Sequence, residues 1–522
     1  MAFTLIQTGG SLKSVNTDGT LGPALTLPSN IDLATNRQPR FARFKRYAIL
    51  VNTPTKPLSI DPDGVVRILT PDAPTAAVTL SDGAAGSLSG TYLSLQTYYI
   101  NDLDGNLISE SGAGPAMSAA YTIASKKLRG TFAVSGESVT GSKIYRTTTN
   151  GSTYFPWTST TDNIDTTVEN DTSDAALGLV EMADLGEAPD LTLIAEWQGR
   201  LWGVDRTEID DLRYTESGTM YGWSALNTLP IGKIGTDQAG VIALVARRNA
   251  LGVARKNSFL QITGTTRSNI GAKTLHEELG VLSQESVVVF NDVAFFLWRD
   301  GVYTWDDSGF KCISNGKVRS WFTTDTYFNR TMFWRAFAGL DPLALRYRLY
   351  LASADSTTID RWVEYDIPTG TWWGPHRTDA LSPTCAISVY EANMQPSIMV
   401  GSSGGFLSKD QETRTDWTSA ISLSARTKNY FGDDPEKEKY FGEPTILIDP
   451  LTSGNLTVTP YVGKRNAPAR TASTYSMTNA RKCLGRMGTG QFGSLKFTNS
   501  EVGKDVVLVG YAIDPIHIIG KR

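Results

Sequence analysis

Cysteine and histidine are almost missing from this 522-residue chain, with three of each. Cys312, Cys385 and Cys483, and His276, His376 and His517, lie far apart, which argues against a disulfide framework or a His/Cys zinc site. An excess of one charge is also missing. Lys plus Arg total 49 against 53 Asp plus Glu, a formal net charge of −4, which excludes a bulk-basic nucleic-acid coat or a polybasic membrane binder. No apolar run reaches the roughly 18 residues of a membrane-spanning helix. The opening MAFTLIQTGGSLKS has neither a basic n-region nor an apolar h-region, so a secretory signal is not expected. Amphipathic helices are scarce too. The stretch SQESVVVF (283–290) has room for one turn, but its Val triplet reads better as a strand.

What is present is the vocabulary of short strands and tight turns: 60 Thr, 48 Gly and 23 Pro. Hydrophobic residues at 40% and aromatics at 10% suffice for large cores and exclude general disorder. The length suggests two to four domains. A loose repeat emerges at RLWGVD (from Arg200), ALGVAR (Ala250), AFFLWRDGVYTWDDSG (Ala294), RLYLAS (Arg348) and SIMVGSSGGFLS (Ser397), with starts 50, 44, 54 and 49 residues apart. YAILVNT (from Tyr47) followed by DGVVRIL (63–69) has the same two-strand shape. This period fits a four-stranded propeller blade, a small sheet that buries its faces only against neighbours. The expectation is an all-β chain built on a β-propeller of about six blades. Asp300-Gly301 and Thr369-Gly370 are expected as hairpin connectors, and Trp202, Trp298, Trp305, Trp362 and Trp372 as fillers between blades. An irregular array of β-sandwiches is the competing architecture.

Two segments break the rhythm. Residues 71–175 open Pro-rich, alternate through GTYLSLQTYYINDLDGNLISES and KIYRTTTNGSTYFPWTSTT, and close on TTVENDTSD. Their strand rhythm resembles a fibronectin type III module, an inserted β-sandwich. Residues 415–522, with TILIDP, NLTVTPYV and DVVLVGYAI, are expected as a C-terminal β-sandwich. That leaves 1–46 as an N-terminal strand and extended basic arm, 47–70 as part of the first blade, and 176–414 as the propeller.

Catalytic patterns do not survive inspection. Gly401-Ser402-Ser403-Gly404-Gly405 satisfies G-x-S-x-G, yet no apolar helix follows, and nothing ties His376 or His517 to Ser403, so a glycine-rich hairpin is expected. Asn101–Asn106 (NDLDGN) resembles part of a calcium loop, but the twelfth position is Ala113 or Gly112 rather than Glu; a hairpin turn is expected. DIPTGTWW and RDGVYTWDD miss the Asp-to-Gly spacing of a sialidase Asp box. Asp210-Asp211, Asp306-Asp307 and Asp433-Asp434 read as turn residues. No Walker, Rossmann, CxxC or HExxH motif occurs. No enzymatic activity, cofactor or metal is therefore expected. The densest basic cluster is Arg37, Arg40, Arg43, Lys45 and Arg46, with Phe41 and Phe44 interleaved. It is the candidate contact segment, touching DNA phosphate or docking on an acidic neighbour through its Phe anchors. Arg247, Arg248, Arg255 and Lys256 form a weaker patch.

The succession AILVNT…SIDPDGVVRIL, APTAA…GTYLSLQTYY, LIAEWQGRLWGVD…LRYTESG…W, GVLSQESVVVFNDVAFFLWRDGVYTWDDSG and RYRLYLA…WVEYDIPTGTWW resembles the tail hub or nozzle proteins of short-tailed bacteriophages, also known as tail tubular or packaged-DNA stabilisation proteins. The resemblance covers most of the chain and rests on ordering and strand style. It implies a structural virion protein without catalytic residues, forming a homo-oligomeric, hexameric ring in the viral tail. The ring would retain packaged double-stranded DNA and conduct it during ejection. The implied partners are tail adaptor or portal-side proteins, fibres or spikes, and a needle or plug. The implied location is the virion tail, with the host cytoplasm during assembly. The competing expectations are a receptor- or carbohydrate-binding propeller of the virion and an intracellular interaction scaffold.

Overall fold

The computed structural model describes all residues except 1–3, 17–19, 34–36, 233–236, 238, 378–381, 391–395, 406, 410–414, 417–418, 421, 432–435, 464–470, 503, 505 and 521–522. The chain is all-β, a series of small antiparallel sheets. It divides into two compact units, residues 1–377 with 381–410, and residues 378–380 with 411–522. No helix among the described residues is long and apolar enough to cross a membrane.

Among the described residues, the first unit contains seven sheets whose strands are consecutive in sequence and joined as meanders. We label them sheet I (residues 4–24, three strands), II (40–68), III (191–230), IV (243–276), V (288–312), VI (337–377), each of four strands, and VII (383–409, three strands). Successive sheets share cores. Leu12 of sheet I packs with Ile49 and Leu58 of II and Leu201 of III. Trp202 and Leu212 of III pack with Leu251 and Val253 of IV. Phe259 of IV packs with Phe296 and Trp305 of V, Phe295 and Leu297 of V with Tyr347 and Leu349 of VI, and Phe337 and Tyr350 of VI with Val400 of VII. The expected fillers lie at these junctions. Trp202, Trp298 and Trp305 are buried in them, and Trp362 and Trp372 are packed at their margins.

Each repeat found in the sequence coincides with the second strand of a sheet: Tyr47–Val51, Arg200–Asp205, Leu251–Ala254, Val293–Trp298, Arg346–Leu351 and Pro396–Ser402. These strands are the most uniformly buried, because sheets pack on both of their faces. The connectors follow turn chemistry. Arg299 and Asp300 turn between Trp298 and Gly301, where a Cβ on Gly301 would lie 2.1 Å from the Ser314 hydroxyl. Gly370 adopts φ +64 between the last two strands of sheet VI.

The expected arm is corrected. Arg40–Phe44 is the first strand of sheet II, paired residue by residue with Tyr47–Val51, so the expected border at residue 47 falls inside a hairpin. Burial of Phe44 and an intramolecular partner for Arg40 hold this strand in place.

Residues 79–170 form two sheets. One runs Leu107–Glu110, Ser94–Asn101, Gly141–Thr147, Tyr154–Ser159; the other runs Thr167–Asn170, Tyr121–Thr131, Thr79–Tyr92. Leu80, Tyr92 and Leu128 of the second meet Ile144 and Trp157 of the first in one core. This insertion is also tied to sheet II, where Ile100 and Ile108 join the core of sheets I to III and the Ser109 hydroxyl donates to the Leu69 carbonyl at 2.6 Å. Asn101–Asn106 is a turn. Asp102 accepts the backbone N–H groups of Asp104 and Asn106, the Tyr47 hydroxyl at 3.0 Å and the Arg46 guanidinium at 2.7 Å.

In the second unit, the sheet Leu423–Arg426, Gly493–Asn499, Asn455–Val462, Ser473–Ser476 and a sheet around Glu438–Ile448 share a core of Phe441, Ile446, Leu456, Val458, Leu495 and Phe497. Leu508–Gly520 pairs with Glu438–Ile448. Asp433-Asp434 lie outside the described residues.

Candidate functional site

First strands of the sheets form two runs of neighbours. Arg40–Phe44 lies beside Leu191–Trp197, which lies beside Ala243–Ala246; Val288–Phe290 lies beside Phe337–Asp341, which lies beside Pro383–Tyr390. Into this group projects one 3-10 turn, Gln284–Ser286, immediately before the first strand of sheet V. The strand expected within 283–290 occurs at Val288–Phe290, directly after this turn, since the β-branched Val287–Val289 favour extension once the turn is closed.

Each residue of this turn binds a different sheet. The Gln284 carboxamide accepts the Leu244 N–H at 2.7 Å and donates to the Leu244 carbonyl at 3.3 Å, imitating a strand against sheet IV. The Ser286 hydroxyl accepts the Leu297 N–H of sheet V at 3.2 Å, and the Ser286 carbonyl accepts the buried Tyr347 hydroxyl of sheet VI at 2.8 Å. Glu285 reaches sheet II and forms an ion pair with Arg40. Both charges lie deep among neighbouring strands, yet their side chains keep 19% (Arg40) and 33% (Glu285) of their surface open. The pair is therefore half-buried, with both side chains still partly open to water. Burial lowers the Arg40 pKa against the attraction of Glu285, and raises that of Glu285 against the attraction of Arg40. Desolvation therefore outweighs attraction on both sides, and the pair fixes geometry more than it adds stability.

Cys385 belongs to the same region. It lines a cavity of about 380 Å³ with Ile6, Gln7, Gly401 and Ser403, between sheets I and VII. Its residue surface is exposed, yet desolvation by the surrounding protein raises its thiol pKa. Ser403 lies in the hairpin turn after Pro396–Ser402, with its N–H donated to the Ser382 carbonyl, and Gly405 takes φ +79.

The basic segment is engaged within the chain. Arg37 lies 3.7 Å from Asp190. Arg43 donates to the Lys45 carbonyl at 3.1 Å, and Lys45 donates to the Gly218 carbonyl at 2.7 Å while covering the Phe44 ring. Arg46 pairs with Asp102 and Asp104. Phe44 is buried and Phe41 is exposed. The partners of this segment belong to several different parts of the chain. Of the weaker patch, Arg247 is buried over Trp305 and paired with Asp292 and Asp307, and Arg255 is buried against Asp210. Sequence reasoning missed the Gln284–Ser286 turn. Its only signal was a polar Gln-Glu-Ser set before an apolar strand.

No family model and no curated protein matches the chain. Among solved structures, the chain is similar to PorZ, an essential bacterial surface component of the type-IX secretion system of Porphyromonas gingivalis. The identity is 12%, covering 98% of this chain and 75% of that one, with a TM-score of 0.26. It is also similar to apo AztD from Citrobacter koseri at 9% identity, covering 78% of this chain and 93% of that one, with a TM-score of 0.28. Likeness at these scores carries no conclusion about shape or role.

Proposed function

We propose that sheets I to VII form a β-propeller and that the chain is a structural protein of a short-tailed phage virion, assembling as a hexameric ring that serves as the tail nozzle or hub. In this reading the first strands surround the propeller axis, and consecutive sheets bury one another's faces. On the same reading sheet VII returns to sheet I, which is supported by the short distance, 3.6 Å, that a methyl at Gly401 would keep from Ile6. The inserted sandwich and the C-terminal sandwich supply contacts to neighbouring copies, to adaptor or portal-side proteins, and to fibres, spikes or a plug.

The phage assignment rests on the ordered resemblance of the segments. The ring form is supported by the Arg40–Glu285 pair. Two side chains in contact span the space between the first strand of sheet II and the turn before sheet V, whereas B-DNA is roughly 20 Å across, as its groove dimensions require. DNA passes between copies, along the ring axis. A conduit also gains from weak attraction to its cargo, since every phosphate–cation contact adds affinity; the near-balanced charge suits this. Particles lacking the protein should package DNA but leak it or fail to eject it productively. Normal retention and ejection in such particles would refute the role.

A further inference from the structure

Sheet VI carries one aromatic ring per strand across its full width. Phe337, Tyr350, Trp362 and His376 lie opposite one another in register, with successive ring centroids 4.7, 6.3 and 5.0 Å apart. Phe337 and Tyr350 are sealed against Val400 and Ala386 of sheet VII. Sheet VII has three strands among the described residues where sheet VI has four. The outer strand of VI, Thr371–Arg377, is largely exposed.

The next row on this face is Arg348, Glu364 and Trp373. Glu364 is buried and held in place. It accepts the Trp362 indole N–H at 3.3 Å and pairs with Arg348 at 2.8 Å and Arg346 at 3.3 Å. Beside it Trp373 keeps 54% of its surface in water. An indole plane left wet next to an ordered carboxylate and a guanidinium is a platform with an apolar floor and a polar wall.

We propose that this outer face of sheet VI binds a saccharide, a neutral or amino sugar whose C–H face stacks on Trp373 and whose hydroxyls meet the Arg346 guanidinium, which the buried Glu364 holds in place. A pyranose ring offers this combination of one apolar face and a hydrogen-bonding rim. Phosphate-bearing ligands fit poorly. Among the described residues, Arg346 and Arg348 are set against Asp341, Glu364 and Asp366, two cations to three carboxylates, a balance that does not favour a phosphate chain. The site does not depend on the ring assembly.

The test uses the full chain on an array of mono- to hexasaccharides. The strongest array saccharide is then titrated against tryptophan fluorescence, beside a thymidine homo-oligonucleotide as a nucleic-acid probe. The wild type should bind a neutral or amino saccharide. Trp373→Ala should weaken that binding at least about tenfold, as loss of a stacking partner requires, while retaining the wild-type circular dichroism. Trp334→Ala, which removes another exposed indole, should leave it unchanged. Absence of any bound saccharide, equal loss in Trp334→Ala, insensitivity to Trp373→Ala, or preference for the oligonucleotide would each overturn the proposal.

Discussion

Arg40 and Glu285 are 245 residues apart in sequence and meet as an ion pair where the first strand of sheet II faces the turn that precedes sheet V. The pair joins sheets that are not consecutive, and the same turn holds sheets IV, V and VI through Gln284 and Ser286. A fold assembled from locally paired strands thus gains a long-range polar connection from three consecutive residues, through their side chains and one backbone carbonyl.

Removing one member of this pair strands the other. Fully buried pairs lose about 3–5 kcal/mol on such truncation, and the water access of these two reduces the expectation to about 1–3 kcal/mol. Arg40→Met should therefore lower the Tm at pH 8. Glu285, already pushed above the usual carboxylate range by burial, loses its attractive partner and rises further. A raised folded-state carboxyl pKa favours the fold at low pH, and that contribution is lost as pH rises through the folded value. The Tm deficit of Arg40→Met should shrink between pH 8 and pH 5, and Glu285→Gln added to Arg40→Met should remove this pH dependence. A deficit that is constant with pH would contradict the assignment.

Asp102 gives the opposite sign. Burial alone would raise its pKa, but the Asn106 backbone and side chain, the Tyr47 hydroxyl and the Asp104 N–H together hold it down to about 2. A depressed carboxyl contributes stability that is present above its ordinary value of 3.8 and is lost as pH falls towards 2. Asp102→Asn should reduce Tm at pH 6, and wild type and variant should converge as the pH approaches 2. Thermal melts at pH 6, 4 and 2.5 check this.

Gly252 lies inside the second strand of sheet IV, where a Cβ would meet the rings of Phe259 and Trp305 at 2.7 Å. Gly252→Ala should cost about 1–3 kcal/mol through overpacking of the junction between sheets IV and V. A Tm equal to wild type would show that this junction is loose.

The inserted sandwich has its own core, but Ile100 and Ile108 are covered by the core of sheets I to III. Residues 71–177 expressed alone should unfold cooperatively by circular dichroism. Ile108→Ala in the full chain should cost about 2–4 kcal/mol. A fragment without a cooperative transition would make the insertion dependent on sheet II.

The legible parts of the fold were those with uniform burial. RLWGVD, VAFFLW and RYRLYL announce strands covered on both faces, and each coincided with the second strand of a sheet. The first strands were harder to read. RFARF alternates apolar and cationic residues and reads as a basic arm, because the partner that absorbs Arg40 is Glu285, which no local pattern connects to it. The hairpin turns at Asn101–Asn106 and Gly401–Gly405 were legible because Asp, Asn and Gly impose their own backbone geometry. The outer face of sheet VI was not, because its row of rings becomes a single surface only when four strands fix their register.

The most direct test of the central claim is an electron-microscopic reconstruction of the purified protein and of its parent particle. The account predicts a hexameric ring around a channel at least about as wide as B-DNA, roughly 20 Å, with each subunit's own axis blocked at Arg40–Glu285. Isolated monomers placed peripherally on the particle, away from the DNA axis, would contradict it.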